Sequence, residues 1–502
     1  MIWEVLKKEI RTNISSPKVV ITYAVCVVLI LTAFSTGIVN YLSLIEEAVE
    51  REAAERDRLS NVYQFRQDVL GQGISVYRRP DILSVLVGGV EGDAAQRGNI
   101  TNFANPGFDV SRFNSAPILA LFGLLDLGFI VTIILSLFVI LFTFDAVSGE
   151  KELGTLKLNF SNAVKRSDFI IGKLIGNFLL LLIPFVIPLL LGLLVMQFVP
   201  GVGFSGEDWS RAGLIFLAFI LYLLVFYSLG MMVSALTKRS SVSFLILLML
   251  WVLFIGVIPR ISVLIAQNVY PVPPLYEVTK AYISRLGPEN DRLGREIGVE
   301  QRRLIQEIQQ RRPLQPVIRN DEAERAYEER LSEFQAWAQG RVDEFFEMIS
   351  ERIEDFSARM QDMGREEAER HKLKQDLQND FAVGLSRLTS PVAALTFAAN
   401  RLSRTGVYSS DEVFRNWVEE QVREVTSETN EFLRNNLQLI GFAYMPDEPL
   451  DTSGLLPDAA SYKREPWNES VAASLQDFAV LAILSIIFFS IAFVAFIRYD
   501  VR

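Results

Sequence analysis

Few side chains in this chain could carry chemistry unaided. It has one cysteine, Cys26, and one histidine, His371, in 502 residues. A lone thiol makes no intramolecular disulfide, and neither residue type can supply a cysteine-rich zinc site or a His-cluster metal centre. His371 falls in a charged helical stretch and reads as a surface residue. The string Gly149–Leu156 (GEKELGTL) has the glycine spacing of a phosphate-binding loop. Thr155 stands where that loop needs lysine, so the β- and γ-phosphates of a nucleotide would meet no cation. No Gly-x-Ser-x-Gly elbow, His-Glu-x-x-His pair or kinase signature occurs. The residues point to no catalytic group, no metal site and no cofactor held by this chain.

The elements that carry these residues follow from composition. Half the chain is hydrophobic, 22% is charged, and the mean hydropathy is +0.27. Both can hold only if apolar and charged residues occupy separate segments, as in a membrane protein with polar domains. A membrane-spanning helix needs about 20 apolar residues. Six stretches qualify: Val19–Leu42, Pro117–Phe144, Ile170–Val199, Leu214–Leu236, Ser241–Ile258 and Phe478–Ile497. The first is too long for the apolar region of a signal peptide, no small-x-small cleavage site follows it, and it reads as a retained helix. Two ionisable residues interrupt the six, Asp126 and Lys173. Asp126 would line a pathway or pair within the bundle; if the second helix starts later, it sits near the interface instead. Pro184 and Pro188 are expected to kink the third span.

Lys and Arg set the orientation. With the N-terminus cytoplasmic, segments 1–18, 145–169, 237–240 and 498–502 are inside and carry most of the short-loop cations, among them Lys7, Lys151, Arg166, Lys238 and Arg498. The short outside loop 200–213 holds only Arg211. Both termini are therefore expected in the cytoplasm. Residues 270–472 carry a net charge of −11 and residues 46–115 a net −3, so the acidity lies outside. No basic patch suggests nucleic acid.

The outer element 43–116 is expected to be α+β. It has a charged helical stretch from Glu46 to about Val69, then strand-like Ile74–Tyr77 and Ile82–Val90. Arg79–Ser84 (RPDILS) reads as a turn leading into a strand. The larger outer domain, 259–477, is expected to be mainly helical. Pro259-Arg260 is expected to end the fifth span, and Pro271, Pro273 and Pro274 to prevent any long helical continuation. From about Asp321 to Asp380 the sequence reads as one or two long helices, with apolar residues recurring from Tyr327 to Met363 at a mean step of 3.6, the period of a straight amphipathic helix. This helix is expected to pack on its own domain rather than in an intermolecular coiled coil. Ser390–Leu402 is too short to span; it fits either a re-entrant or interfacial helix or a buried helix of the outer domain. Arg outnumbers Lys by 22 to 4 within 270–472, and the sequence alone offers no reason.

The cytoplasmic face carries the most specific signals. Ile2, Trp3, Leu6 and Ile10 share one helical face opposite Glu4, Lys7, Lys8 and Arg11, so residues 1–18 suit an amphipathic helix lying in the membrane interface. In the loop 145–169, Ser148-Gly149-Glu150-Lys151-Glu152-Leu153-Gly154-Thr155-Leu156 reads as a short helix with charges on one side and leucines on the other, able to dock in a partner's groove.

This run resembles the coupling-helix loop of type-2 ABC export permeases, the type V exporter fold. That family has an N-terminal elbow helix, six spans, a coupling helix between the second and third, and cytoplasmic termini. All four features have counterparts here. The 259–477 region is larger than the family's usual outer segment between its fifth and sixth spans, which carries re-entrant helices.

The resemblance implies the permease subunit of an ATP-driven exporter in a cell inner membrane. It would work as a dimer with a second permease copy or a paralogue. A separate ATP-binding subunit would hold ATP and Mg. The coupling residues carried over are Glu150, Glu152, Gly154, Thr155, Leu156 and Leu158. Membrane lipid and a periplasmic protein are further expected partners. The rival reading is a multi-span scaffold or sensor whose outer helices bind an envelope partner, though six spans exceed what an anchor needs. A membrane-embedded enzyme would require a polar constellation that Asp126 and Lys173 alone do not make.

Overall fold

A computed structural model of the full chain describes all residues except 1–2, 4–5, 8–10, 12–16, 92–93, 102–106, 110–125, 156–165, 315–320, 436–447 and 500–502. Among the described residues, six helices are long and apolar enough to cross a membrane. The first, α1 (Pro17–Ser60), does not stop at the end of its apolar stretch. No helix breaker lies between Leu42 and Ser60, so the charged segment that follows continues the same helix. The second, α2, starts at Leu127, passes through a π-turn at Ile130–Leu135 and ends with Ser136–Thr143. A five-residue helix, α3 (Ser148–Glu152), follows it.

The third span is α4 (Arg166–Met196), which carries Pro184 and Pro188 in its interior. The fourth, α5 (Gly206–Leu236), begins with a reciprocal capping box between Ser205 and Asp208. The fifth, α6 (Ser240–Val269), contains a second π-turn at Leu253–Val257 and continues past Pro259, where it was expected to end; the π-turn just before the proline already interrupts the regular ladder that its missing N–H would break. Two long polar helices come next, α7 (Leu275–Arg311) and α8 (Asp321–Thr389). They are followed by α9 (Pro391–Leu402), α10 (Val413–Asn435) and the last span, α11 (Trp467–Ile497).

The chain divides into two compact units, 1–261 with 385–502, and 262–384. In the first, α5 is central: 67% of its apolar window is buried, against 11% for α6. Gly230 allows α2 to touch α5, because a Cβ there would fall 2.0 Å from Thr143 Oγ1. Where the π-turn of α2 frees a carbonyl, Tyr222 OH donates to Thr132 O at 2.8 Å, and Trp251 Nε1 donates to Ser136 Oγ at 2.9 Å. These bonds link α2, α5 and α6 and give partners to the Tyr222 hydroxyl and the Trp251 indole N–H. The short α9 belongs to the same core: Ala394, Leu395, Ala398, Ala399 and Leu402 are buried with the spans, and Ser390 Oγ donates to Phe254 O at 2.8 Å.

A second core in this unit gathers distant segments. β1 (Ile74–Tyr77), β2 (Arg97–Ile100) and β3 (Gly107–Asp109) form an antiparallel sheet in that order. Ile74, Val76 and Ile100 pack with Leu59 from the end of α1, Phe414 and Val418 from α10, and Leu455. Segments from both sides of the 262–384 unit thus make one body with the sheet. The expected strand over Ile82–Val90 is instead a 3₁₀ turn, Ile82–Val85. Asp81 caps it through Leu83 N at 3.0 Å, and the four turn residues are all buried, so the apolar run does not alternate as a half-exposed strand would.

In the 262–384 unit α7 and α8 run antiparallel. Arg285 pairs with Glu367, Arg352 with Glu296 at 3.3 Å, and Arg341 with Glu307 at 3.3 Å. The Arg311 guanidinium lies 4.5 Å from the Trp337 ring centroid, and Tyr282 OH donates to Met360 O at 3.3 Å. α7 begins after Pro274 as the prolines require, and Pro288 lies within it. The arginine bias acquires a reason here. A planar guanidinium can bridge helices to a carboxylate or stack on an indole, which an ammonium does less well.

Candidate functional site

The loop between α2 and α4 is fastened to the ends of its neighbours by side chains of opposite character. Ser234 of α5 is buried, and its Oγ accepts Val147 N at 2.9 Å and Ser148 N at 3.0 Å. Those amides open α3, so a hydroxyl from another helix supplies its N-terminal acceptor. Lys151 Nζ donates to the carbonyls of Ala235 and, at 3.1 Å, Thr237, where α5 ends. It also lies 4.5 Å from the ring centroid of Tyr499, just beyond α11. A cation at a helix C-terminus satisfies orphan carbonyls and complements the dipole.

The two carboxylates do the converse. Glu150 Oε1 meets Lys173 Nζ of α4 at 2.7 Å, with Lys173 buried and Glu150 half-buried. Glu152 Oε2 accepts Ser240 N at 3.1 Å, at the N-terminus of α6. Arg166 donates to Ile497 O at 2.7 Å and Tyr499 O at 3.0 Å, closing the end of α11. α3 therefore reaches α4, α5 and α6 directly.

The far side of α3 is open. Gly154 has φ +71°, with nothing within 4 Å of a Cβ placed there. It ends α3 in the left-handed conformation that glycine adopts without cost. Leu153 is 79% exposed, and Gly154 and Thr155 are exposed beside it. Of the residues singled out by sequence, Glu150 and Glu152 face span ends, while Gly154 and Thr155 face away. Leu156 and Leu158 lie outside the described residues, as do Ile2 and Ile10. Trp3 is exposed and Leu6 buried. Sequence reasoning missed Lys151, Leu153 and Ser234, and left Lys173 without a partner. Lys173 had a signal, a lone charge in an apolar stretch; Ser234 had none.

The opposite end of the bundle holds a buried ion network. Arg404, in the left-handed region at φ +58°, reaches Asp81 at 3.1 Å, Asp208 at 3.5 Å and also Glu207. Burial alone would lower the Arg404 pKa, but Asp81, Glu207 and Asp208 more than reverse that. Arg211 is fully buried, bonded to Glu207 at 2.8 Å and to the carbonyls of Leu402 and Glu465 at 3.3 and 3.0 Å. The Glu465 carboxylate takes Arg401 at 2.8 Å and Ser409 Oγ at 2.6 Å. The network joins the turn after β1, the start of α5, the end of α9 and the approach to α11.

Asp126 is the N-cap of α2 and not a mid-span group. Its oxygens accept Phe129 N at 2.7 Å and Gly88 N at 2.8 Å, so the carboxylate secures the 88 loop to the helix. A cleft of about 350 Å³ beside it is bordered by Thr132, Phe219, Thr396 and Asn400.

These arrangements tie helix ends to one another through hydrogen bonds and ion pairs. The family model described as ABC-2 family transporter protein matches residues 3–336, about two thirds of the chain. No curated protein matches it. The chain belongs to the ABC-2 transporter family, as a multi-pass membrane component of transport rather than a catalyst in its own right.

Proposed function

We propose that this ABC-2 family chain is the permease of an ATP-driven exporter with the type V fold, working as a dimer with separate ATP-binding subunits. In this reading both termini and the loop 145–169 lie in the cytoplasm, residues 1–18 form the elbow helix, and regions 43–116 and 259–477 lie outside an inner membrane. ATP and Mg are held by the partner subunit. The buried, short α9 serves as a re-entrant helix.

One observation carries the proposal. α3 is bonded to the ends of α4, α5 and α6 and follows directly from α2, while Leu153, Gly154 and Thr155 project away. A soluble subunit that seats Leu153 in an apolar groove grips four spans at once. When nucleotide closes the ATPase pair, its differential affinity for the two permease states moves those spans together.

The test is co-purification from native membranes in mild detergent, comparing the intact chain with Leu153→Asp. Leu153 touches no core, so the variant keeps its fold, as a monodisperse elution profile would show. The intact chain brings down an ATP-binding subunit, and the variant retains less than about a tenth of it, a loss of about 1.4 kcal/mol. If the folded intact chain recovers no ATPase, or Leu153→Asp recovers as much as the intact chain, the coupling role of α3 fails and the envelope scaffold becomes the better reading.

A further inference from the structure

Residues 262–384 have the length of a domain without its interior. Among the described residues of this unit, Ser262 and Ala266 are buried, and none from 267 to 384 is. A self-sufficient domain of comparable length buries well over half of its chain's surface, roughly 60–70%. Two helices touching along one stripe cannot do that. Large apolar side chains are left in the open: Ile283 is 59% exposed, Ile305 46%, Phe346 60% and Ile353 46%.

These residues border one side of the hairpin. Helical periodicity places Ile283, Gly287, Asn290, Gly294, Gln301 and Ile305 in one uncharged strip along α7. Next to it, Ile353 and Phe356 of α8 line a groove of about 790 Å³ with Asn290, Gly294 and Gly298. A Cβ at Gly294 would meet nothing within 4 Å. Glycine in an exposed helix interior costs about 1 kcal/mol relative to alanine, so these glycines weaken an isolated hairpin. The room they leave suits a bulky side chain from outside.

The rim charges choose the occupant. Arg295 and Arg302 flank the strip on the α7 rim, with Asp291 a turn away, while Asp343 and Glu347 flank the α8 rim. Because Glu296 is level with Arg352 and Glu307 with Arg341, Arg302 stands level with Phe346–Glu347 and Gly294 with Ile353. A second copy turned by half a revolution about an axis along the hairpin lays its α8 over the first copy's α7 at the same level. Arg302 of each copy then faces Asp343 and Glu347 of the other. Ile353 of each enters the space over Gly294 of the other. Every such contact occurs twice, as an isologous interface demands.

We infer that the α7–α8 hairpin is an interaction surface for the hairpin of a second copy, the two closing into a four-helix bundle. The inference takes from the preceding reading only that two copies meet, and it is independent of the role of α3.

The test uses full-length chain in native membranes, on a Cys26→Ala background, with two differently tagged versions co-expressed. One carries Gly294→Cys and the other Ile353→Cys, and a short bis-maleimide joins thiols that lie close. A product bearing both tags is expected at ten times or more the yield from Arg292→Cys with Asp355→Cys, two exposed positions at the same level away from the groove. Arg302→Glu in one copy should cut that yield severalfold, and Glu347→Arg in the other should restore it. Equal yields at groove and control positions overturn the inference. So does a Gly294→Cys product containing some other protein instead of the second tag. Tag-on-tag co-purification without cross-linker separates the two readings: copies that co-purify but do not cross-link at the groove sink the hairpin pairing alone. Copies that do neither sink the dimer of the preceding section as well.

Discussion

Arginine–carboxylate pairs occur in both compact units, and their settings are opposite. Arg404 and Arg211 are buried beside Asp81 and Asp208, and Glu207 reaches both from a side chain 42% exposed; the Arg211 donors go to Glu207 and to the carbonyls of Leu402 and Glu465, while Arg404 Nε is buried without a partner. Arg285, Arg341 and Arg352 bridge α7 and α8 with side chains 59%, 40% and 41% exposed. Enclosed charges are costly to desolvate and costlier to orphan, so their value lies in fixing one arrangement of the segments they join. Exposed pairs share their work with water and salt and contribute little each. The spans' unit is thus committed to one geometry at that end, whereas the hairpin is tied by contacts that can be remade.

The largest effect that would break this contrast is at Arg404. Arg404→Met leaves Asp81, Glu207 and Asp208 short of a cation and should cost about 3–5 kcal/mol, whereas Arg285→Ala should cost at most about 1 kcal/mol. Thermal unfolding of the detergent-solubilised chain reads both; equal shifts would mean that the enclosed network fixes nothing. A smaller effect tests packing. Gly230→Ala forces a methyl into Thr143 and should destabilise by about 1–3 kcal/mol, with α2 displaced from α5. An unchanged melting temperature would show that these helices separate freely. The smallest effect has the opposite sign. Gly340 on α8 has open space around it, so Gly340→Ala should stabilise the hairpin by about 1 kcal/mol, seen as slower amide exchange in α8. Faster exchange would mean that position 340 is not free surface.

How much of this was readable in the sequence depends on the range of the cause. The apolar stretches and the 3.6-residue phase of α8 are local, and they were legible; α7, which starts after Pro274, was not singled out. The length of α1 was not legible, because a polar stretch can continue a helix when nothing interrupts it. The shared core of Leu59, Val76, Phe414 and Leu455 is assembled from segments hundreds of residues apart, and no window shows such a pairing. At the site, Glu150 and Glu152 were carried over from the resemblance of their loop to a coupling helix, and a resemblance cannot say which way a carboxylate points. Lys173 and Ser240 N, which decide that, are on other helices. The open position of Leu153 follows from the same attachments.

α1 has a mechanical implication. Its 44 residues amount to a rod of roughly 66 Å, about twice the thickness of the hydrocarbon layer. The rod is gripped near its far end, where Glu55 accepts Ser75 N at 2.8 Å and Leu59 O accepts Thr452 Oγ1 at 2.7 Å. An unbroken rod does not absorb a tilt in a joint; it magnifies it. A lean of about 5° at one end carries the other sideways by roughly 6 Å, more than the rise of one helical turn. The sheet and α10 would swing with it, so a small rotation among the spans would become a stroke on the body that rides at the tip.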